Sequence, residues 1–304
     1  RSGDSLSLSS KTAGESFTVT ARTENKAVAV PTIEGDYVLN MPTPQANFGL
    51  DVEGNLTVVS LPIDGDSTVT LSADQNLVIV DPLDAGTGTV TLSAGDSLAL
   101  GGTVTAGKLD LTSGGELSLN SSVDELIINL SKADANVQII QEGDLDLSRL
   151  SLNGGDVTIN VEGNLSIGEF VGNAGNVTIN ATGSVSFSSE AGYVPVMTDR
   201  LAISADGEVS GLIQTTNLSV RTTGAVLLSN VGTGQMLVSR LDNGGADIAL
   251  SSTGSIQVDA LIALMSDSDL DLESSAGSLI LNQDVSSHSG AINLIAGDDL
   301  ILNN

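Results

Sequence analysis

Few side chains in this 304-residue sequence could perform catalysis or bind a metal. His288 is the only histidine, and it lies in Ser286–Gly290, a segment whose small polar residues are typical of a turn. A nucleophilic triad needs a histidine that is oriented by a carboxylate beside a nucleophile, and nothing in the sequence fixes such a set. We therefore predict that His288 is a solvated turn residue and that the chain has no catalytic residues.

Acidic pairs are the other candidates for acid–base chemistry. Asp298 precedes Asp299 directly, and Asp267 lies two residues before Asp269. Some β-helical enzymes that cleave acidic polysaccharides combine such carboxylates with arginine or lysine on one face. The basic residues here are few and scattered, so they do not predict a cationic groove for uronic acids. A polysaccharide-active enzyme is the third of our functional hypotheses, and we predict that the protein is not an enzyme.

Metal and cofactor sites have little support in the sequence. The absence of cysteine and the single histidine exclude a typical zinc site, a thiolate cluster and a cysteine nucleophile. Oxygen ligands and excess negative charge would suit Ca²⁺, but Gly154–Asp156 and Gly244–Asp247 match a calcium-binding glycine–aspartate repeat only in part. We predict no metal-binding or cofactor-binding residues, and at most a weak association with Ca²⁺.

The charge balance limits the possible partners. Lysine and arginine total 10 and aspartate and glutamate total 38, which gives a formal net charge of −28. A protein that holds phosphate backbones needs a basic surface, so we predict no nucleic-acid partner. No apolar run reaches the ~18 residues that would cross a bilayer, so we predict no membrane insertion. The amino terminus lacks the apolar region of a signal peptide, which indicates either a removed signal or a piece of a longer chain.

A short repeat positions all of these residues. Each unit consists of glycine, a small or acidic residue, and then alternating aliphatic residues. Successive glycines of the clearest stretch are separated by 12, 8, 12 and 8 residues, so two unequal steps make a period of 20. These glycines are Gly143, Gly155, Gly163, Gly175 and Gly183. Aligning residues 143–162 with 163–182 matches residue types as well as hydrophobicity, which indicates a repeat architecture.

The repeat predicts stacked short strands. Alternation such as Val157-Thr158-Ile159 sends aliphatic side chains to one face and polar ones to the other, and glycine with aspartate or asparagine supplies turns. A solenoid with about 20 residues per coil satisfies this pattern, because matched positions of neighbouring coils then pair in parallel. Its narrow interior of aliphatic ladders also explains an aromatic content of only 2%. An array of β-sandwiches is the competing architecture, and it would predict antiparallel hairpins without a fixed period.

Particular pairs test this period. Thr158 should lie over Thr178, and Asn160 over Asn180. Arg149 and Glu169, also 20 residues apart, could form an ion pair between coils. We predict that residues 1–304 form one continuous domain, with loops leaving the coils near 31–48 and 188–200, where proline and tyrosine interrupt the pattern.

The repeats, such as those over residues 174–185, resemble those of filamentous-haemagglutinin-type exoproteins, which are large bacterial adhesins exported by two-partner secretion. The resemblance is clearest over about 86–190 and 245–304. It implies a right-handed parallel β-helix at the cell surface or in the secreted fraction, with roles in adhesion, aggregation or biofilm. The Asn-Pro-Asn-Gly-Ile type motif of the family's secretion domain is missing, so the resemblance implies a segment of the shaft.

Two non-enzymatic functions follow as hypotheses. In the first, the chain is an acidic structural and adhesive rod whose loops or distal modules bind host or neighbouring cell-surface molecules or glycans. In the second, it is a subunit of an extracellular filament that stacks end to end. The repeat begins by Gly3 and is still present at Gly297, and no capping segment is visible, as either an internal piece or a filament subunit would require.

Overall fold

The computed structural model describes residues 32–33, 35–41, 47–63, 65–189, 196–264 and 267–303. These residues form β-strands and turns and contain no helix. The strands stack in parallel about 20 residues apart and form a β-solenoid, which confirms the predicted architecture and rules out the sandwich array. The chain divides into two compact units, Arg1–Glu142 and Gly143–Asn304. The prediction of one continuous domain stays a prediction.

The strands described in the first unit are β1 (Thr32–Ile33), β2 (Tyr37–Asn40), β3 (Phe48–Val52), β4 (Leu56–Ser60), β5 (Thr68–Ala73), β6 (Asn76–Ile79), β7 (Leu83–Asp84), β8 (Thr89–Ala94), β9 (Ser97–Leu100), β10 (Val104–Ser113), β11 (Leu117–Ala133) and β12 (Val137–Glu142). Strands β3, β5 and β8 pair side by side in parallel, so that Phe48, Val69 and Val90 form one ladder. A separate four-stranded sheet contains β2, β4, β6 and β9.

The strands described in the second unit are β13 (Leu145–Asn153), β14 (Val157–Glu162), β15 (Leu165–Val171), β16 (Ala174–Ala181), β17 (Val185–Phe187), β18 (Val196–Ala205), β19 (Val209–Arg221), β20 (Val226–Asn230), β21 (Met236–Asp242), β22 (Ile248–Ser252), β23 (Ile256–Val258), β24 (Ile262–Leu264), β25 (Leu270–Ser274), β26 (Leu279–Leu281), β27 (Val285–Ser287), β28 (Ile292–Ala296) and β29 (Leu300–Leu302). All their printed pairings within this unit are parallel.

Aliphatic ladders fill the interior, as the alternation predicts. Along β14 the burial alternates residue by residue, so the side chains of Val157, Ile159 and Val161 point inward. Phe170 in β15 is the bulkiest of the most deeply buried side chains and is 1% exposed. Each fully buried aliphatic side chain contributes roughly 1.5–3 kcal/mol, so these ladders are the main source of stability.

The pairs that tested the period are present. Thr158 pairs with Thr178 and Asn160 with Asn180. The Asn180 Nδ2 donates to Asn160 Oδ1 at 2.9 Å. Arg149 and Glu169 are also register partners, and their Nη1 and Oε2 atoms are 3.5 Å apart. The period read from residues 143–182 is therefore confirmed there at the level of single side chains.

The coils beyond residue 187 depart from this period. Val185 pairs with Val209, a step of 24 residues, and the neighbouring Ser184 and Glu208 show the same step. The next step, from Val209 to Val226, is 17 residues, as it is from Asp206 to Thr223. Steps of 22 follow, as between Asp247 and Asp269. The period of 20 is thus an average in this part of the chain, and the ladders persist because turns, not strands, absorb the change.

The repeat glycines serve two different purposes. Gly155 has φ +82°, a left-handed conformation that other residues adopt only with strain. Gly95 has no such φ, but a Cβ there would lie 2.0 Å from the backbone oxygen of Asp74 in the preceding coil. Coil stacking at about 4.8 Å therefore requires glycine at Gly95 through close approach rather than through turn geometry.

The two predicted loops are narrower than expected. Residues Tyr37–Asn40 within the 31–48 loop form strand β2, and Phe48 begins β3. Residues 196–200 of the second loop belong to β18, so the prediction was wrong for these segments. Tyr37 and Phe48 are buried, which explains why their aromatic character indicated core and not loop. The remainder of both loops, 42–46 and 190–195, lies outside the described residues, as does Pro31.

Candidate functional site

The sequence-predicted chemical groups lie in separate turns. His288 is exposed directly after β27, as predicted for a solvated turn residue. Asp298 and Asp299 are exposed in the turn between β28 and β29. Within the part of the chain that the structure describes, no group of three or more histidine, cysteine, aspartate or glutamate residues could hold a metal ion. No helix of the described residues is long and apolar enough to cross a membrane.

The other acidic pair takes part in coil stacking. The Asp269 carboxylate accepts a hydrogen bond from the Ala291 backbone nitrogen at 2.7 Å. The Asp269 backbone nitrogen in turn donates to Asp247 Oδ1 at 3.0 Å. Asp267 accepts a hydrogen bond from the Ser289 hydroxyl. These carboxylates are thus structural acceptors that join one coil to the next.

The same arrangement recurs along the chain, and we call these side-chain oxygens turn acceptors: Asp, Asn or Ser oxygens that accept a backbone N–H of the following coil. Asp156, in the segment that partly matches a calcium repeat, accepts from the backbone and side-chain nitrogens of Asn176, both at 2.9 Å. Asp144 accepts from the Asn164 backbone at 2.7 Å, and Asn164 Oδ1 accepts from the Ser184 backbone at 2.9 Å. The aspartate and asparagine after each repeat glycine are therefore explained by stacking.

Hydrogen bonds lower the pKa of several of these carboxyls. The pKa of Asp36 lies below its ordinary value, chiefly because it accepts the Asn55 backbone N–H and then its side-chain amide. The Thr87 backbone N–H lowers the pKa of Asp66 in the same way. Asp259 has a lowered pKa because Asn282 and Gln257 donate side-chain amide hydrogens to it. Each carboxyl is held in its charged form, which suits an acceptor better than a general acid.

A polar groove is the feature of the second unit with the shape of a binding site. Its volume is about 260 Å³. It crosses four successive coils, from Asn173 through Met197 and Gln214 to the turn that contains Gly232 and Gln235. Three steps of coil stacking make it about 14 Å long. Its length along the stack suits an extended ligand better than a compact one.

The floor of the groove is formed by three buried polar side chains. Thr198, Thr215 and Asn230 are 7%, 5% and 1% exposed. The hydroxyls of Thr198 and Thr215 each donate to the backbone oxygen two residues on, at 3.0 Å. Asn230 Oδ1 accepts the Thr215 backbone N–H at 3.0 Å. These bonds satisfy the floor internally and hold it rigid.

The rim, in contrast, carries side chains with hydrogen-bonding capacity to spare. Asn173, Asp199, Gln214 and Thr233 are exposed, and their side chains form no hydrogen bond with any residue in the described part of the chain. Among the described residues that line the groove, Asp199 alone carries a charge. Any ligand of this groove would therefore be recognised mainly through neutral amide and hydroxyl groups.

Sequence reasoning missed the groove for an identifiable reason. Thr198 and Asp199 were assigned to a loop, whereas β18 places Thr198 in register with Ala174 on one side and Thr215 on the other. The signal was present in the repeat of Thr-x-polar at Thr198 and at Thr215, where threonine replaces the usual inward aliphatic residue. The glycines of 232–234, read only as turn residues, form the opposite wall.

A second unusual surface lies at β28 and β29. Leu270, Leu279 and Leu281 of the preceding coil are at most 4% exposed. Their register partners on the next coil are Ile292, Leu300 and Leu302. These partners are 42%, 47% and 60% exposed, although they continue the same ladders.

Comparisons with protein-family models, with curated proteins and with solved structures found no match. The architecture is therefore established by the stacked coils themselves, and the likeness to filamentous-haemagglutinin repeats rests on the sequence pattern.

Proposed function

We propose that this chain is a non-enzymatic structural and adhesive rod, a segment of a large bacterial adhesin that is secreted or held at the cell surface. The observation that carries the proposal is the continuous parallel stacking within each unit, with aliphatic ladders inside and turn acceptors at the edges. Such a coil stack is stiff and can present lateral side chains at a distance from the cell. The net charge of −28 favours solubility and keeps neighbouring copies apart.

The proposed partners are host or neighbouring cell-surface molecules, including glycans. The regular coils expose mainly Ser, Thr, Asn and Asp side chains on their outer faces, as in the pattern of β14 and β16. No nucleic acid is expected, because the acidic surface would repel phosphate. The resemblance to the haemagglutinin-type repeats supports this proposal and defines the family to test first.

The test is an adhesion assay with the 304-residue chain coupled to beads. Native chain should retain beads on epithelial or bacterial cell layers, and chain unfolded before coupling should not. The unfolded chain has the same charge and composition, so it separates structure-dependent adhesion from electrostatic attraction. Equal retention by both forms would overturn the adhesive role. Release of reducing sugar from uronate or neutral polysaccharides, with loss in Asp298→Asn or Asp299→Asn, would instead establish an enzyme.

The exposed ladder at β28 and β29 favours a second candidate, a filament in which coils continue from one protomer to another. A further coil stacked on Ile292, Leu300 and Leu302 would bury apolar surface that is now exposed. Sedimentation velocity should then show oligomers that lengthen with concentration, and Leu300→Lys with Leu302→Lys should abolish them. Leu261→Lys is the matched control, because Leu261 is 61% exposed and lies outside this ladder. A wild-type chain that stays monomeric at all concentrations would exclude the filament.

A further inference from the structure

The groove of the second unit offers a more specific statement about the ligand. From its geometry we infer that it binds a short linear oligosaccharide composed of neutral sugars. This inference rests on the adhesive function proposed above and deepens it by naming a site and a ligand class. The argument depends on four properties of the groove: its length, its polarity, its charge and the state of the backbone beneath it.

Length and polarity favour a chain of hydroxyl-bearing units. The groove extends about 14 Å across four coils, and its rim presents amide and hydroxyl groups along that distance. Asn173 and Gln214 can each donate and accept, and the Asp199 carboxylate can accept two hydroxyl hydrogens. Sugar hydroxyls also donate and accept, so each unit of an oligosaccharide finds a complementary group.

Charge selects neutral glycans over acidic ones. The single charged lining residue, Asp199, is negative, and the whole chain carries −28. A sulfated or uronic-acid-rich polysaccharide would meet repulsion without a compensating arginine or lysine in the lining. Neutral sugars avoid this cost and still use the carboxylate as an acceptor.

The sheet beneath the groove argues against a bound peptide strand. Peptides commonly join a sheet by pairing with the free backbone groups of an edge strand. Here β18 pairs with both β16 and β19, and β19 pairs with both β18 and β20. The backbone beneath the groove is therefore occupied, and recognition must come from side chains.

Affinity at a single groove should be weak. Met197 is the main apolar lining side chain, so the site offers hydrogen bonds but little apolar area to bury. We expect a Kd on the order of 1 mM for one groove, a value that presentation of many copies on one surface would strengthen.

Gly232 allows the groove to be filled without disturbing the stack. A Cβ at Gly232 would lie 3.5 Å from Gln214 Cγ and 3.6 Å from the Asn230 side-chain amide, which are ordinary contact distances. Gly232→Phe should therefore place its ring in the groove and reduce binding by about tenfold or more. Gln214→Ala should remove one rim contact and weaken binding about fivefold.

The experiment uses saturation-transfer NMR and titration with cellohexaose, maltohexaose and chitohexaose as neutral probes. Heparin and a Gly-Ser-Thr peptide of similar length serve as the acidic and peptide probes. Ser118→Phe and Gln138→Ala are matched controls, because both residues are exposed on strands and do not line the groove. Both control variants should bind as the wild type does, and thermal unfolding should verify that every variant is folded.

The expected result is binding of at least one neutral probe that Gly232→Phe and Gln214→Ala both weaken. Binding of heparin or of the peptide alone would overturn the ligand class, and neutral binding unaffected by both groove variants would overturn the site. Absence of binding by all three neutral probes at 20 mM, roughly twenty times the expected Kd, would overturn the inference as a whole. Beads that carry Gly232→Phe separate this failure from that of the adhesive role: if they adhere like the wild type, adhesion stands and the groove does not mediate it.

Discussion

Two neighbouring regions of the second unit follow one plan and differ in one variable. The regular coils, residues 145–187, repeat every 20 residues and place the same residue types over one another. The variable coils, residues 196–264, keep parallel ladders while the step changes from 24 to 17 and then to 22 residues. The regular coils have an even outer face, and the variable coils contain most of the lining of the polar groove.

The difference teaches that ladder positions and coil length are separate properties of this fold. Interior ladders require an aliphatic side chain at each inward position, and both regions satisfy this requirement. Coil length is set by the turns, where an added or missing residue displaces the outer surface without breaking the sheet. New surface shapes therefore arise at turns and corners, which is where loops carry function in many folds.

The largest expected effect tests whether both regions share one interior. Val157 of the regular coils and Leu201 of the variable coils belong to the same ladder through Val177, and they are 1% and 0% exposed. Val157→Asp and Leu201→Asp should each lower the free energy of unfolding by about 4 kcal/mol or more, because each buries an unpaired charge. Thermal unfolding followed by circular dichroism measures this loss.

The outward neighbour Thr158 supplies the control for these variants. Thr158→Asp should change the unfolding free energy by less than about 0.5 kcal/mol, as is usual for surface substitutions. If Leu201→Asp unfolds no more readily than Thr158→Asp, the variable coils do not share the interior and the comparison fails.

An intermediate effect is expected from two asparagines in different settings. Asn230 of the variable coils is 1% exposed and holds the Thr215 backbone N–H at 3.0 Å. Asn230→Ala should cost about 1–3 kcal/mol, because that N–H would be buried without an acceptor. Asn180 of the regular coils is exposed, and Asn180→Ala should cost less than about 0.5 kcal/mol. Urea unfolding of both variants gives the comparison, and equal losses would contradict a rigid polar floor beneath the groove.

The smallest effect concerns a turn carboxylate and its dependence on pH. Asp259 of the variable coils has a pKa below its ordinary value of 3.8 because Asn282 and Gln257 donate hydrogen bonds to it. A depressed pKa in the folded chain means that its stabilising contribution is fully present above the unfolded pKa and is lost as pH falls through the folded pKa. At neutral pH the contribution amounts to roughly a few tenths of a kcal/mol, since the carboxylate is exposed and screened by solvent.

Asp259→Ala should therefore have a slightly lower melting temperature than the wild type at pH 7, and the gap should close below pH 3.8. Comparing the two proteins at each pH cancels the general effect of neutralising the other carboxylates. A gap that persists unchanged at pH 2 would show that the hydrogen bonds do not depend on the charge of Asp259.

The regular coils could be predicted from the sequence almost residue by residue. Identical residue types at matched positions, such as Thr158 and Thr178, fix both the period and the register. The alternation of aliphatic and polar residues then fixes which side chains face inward, and Arg149 and Glu169 are paired as their spacing predicted.

The groove could not be predicted because it depends on the sum of unequal turns. Proline and tyrosine near 188–200 indicated a loop, but they did not indicate that Thr198 returns to the ladder while Met197 and Asp199 lie at the surface. The buried contacts of Asn230 are equally non-local, since Thr215 and Ser252 come from adjacent coils of different length. The regular coils gave a reliable average period, and the groove lies where the chain departs from it.

The turn acceptors have a direction, because the oxygen belongs to the earlier coil and the N–H to the later one. This holds from Asp36 to Asn55, from Asp144 to Asn164 and from Asp247 to Asp269. A completed coil thus offers a template to the chain that emerges after it, so growth can proceed in the order of synthesis. Tandem duplication or deletion of one coil's worth of gene also leaves matching bonds at both new boundaries, which lets such a protein change its reach in evolution without inventing a new junction.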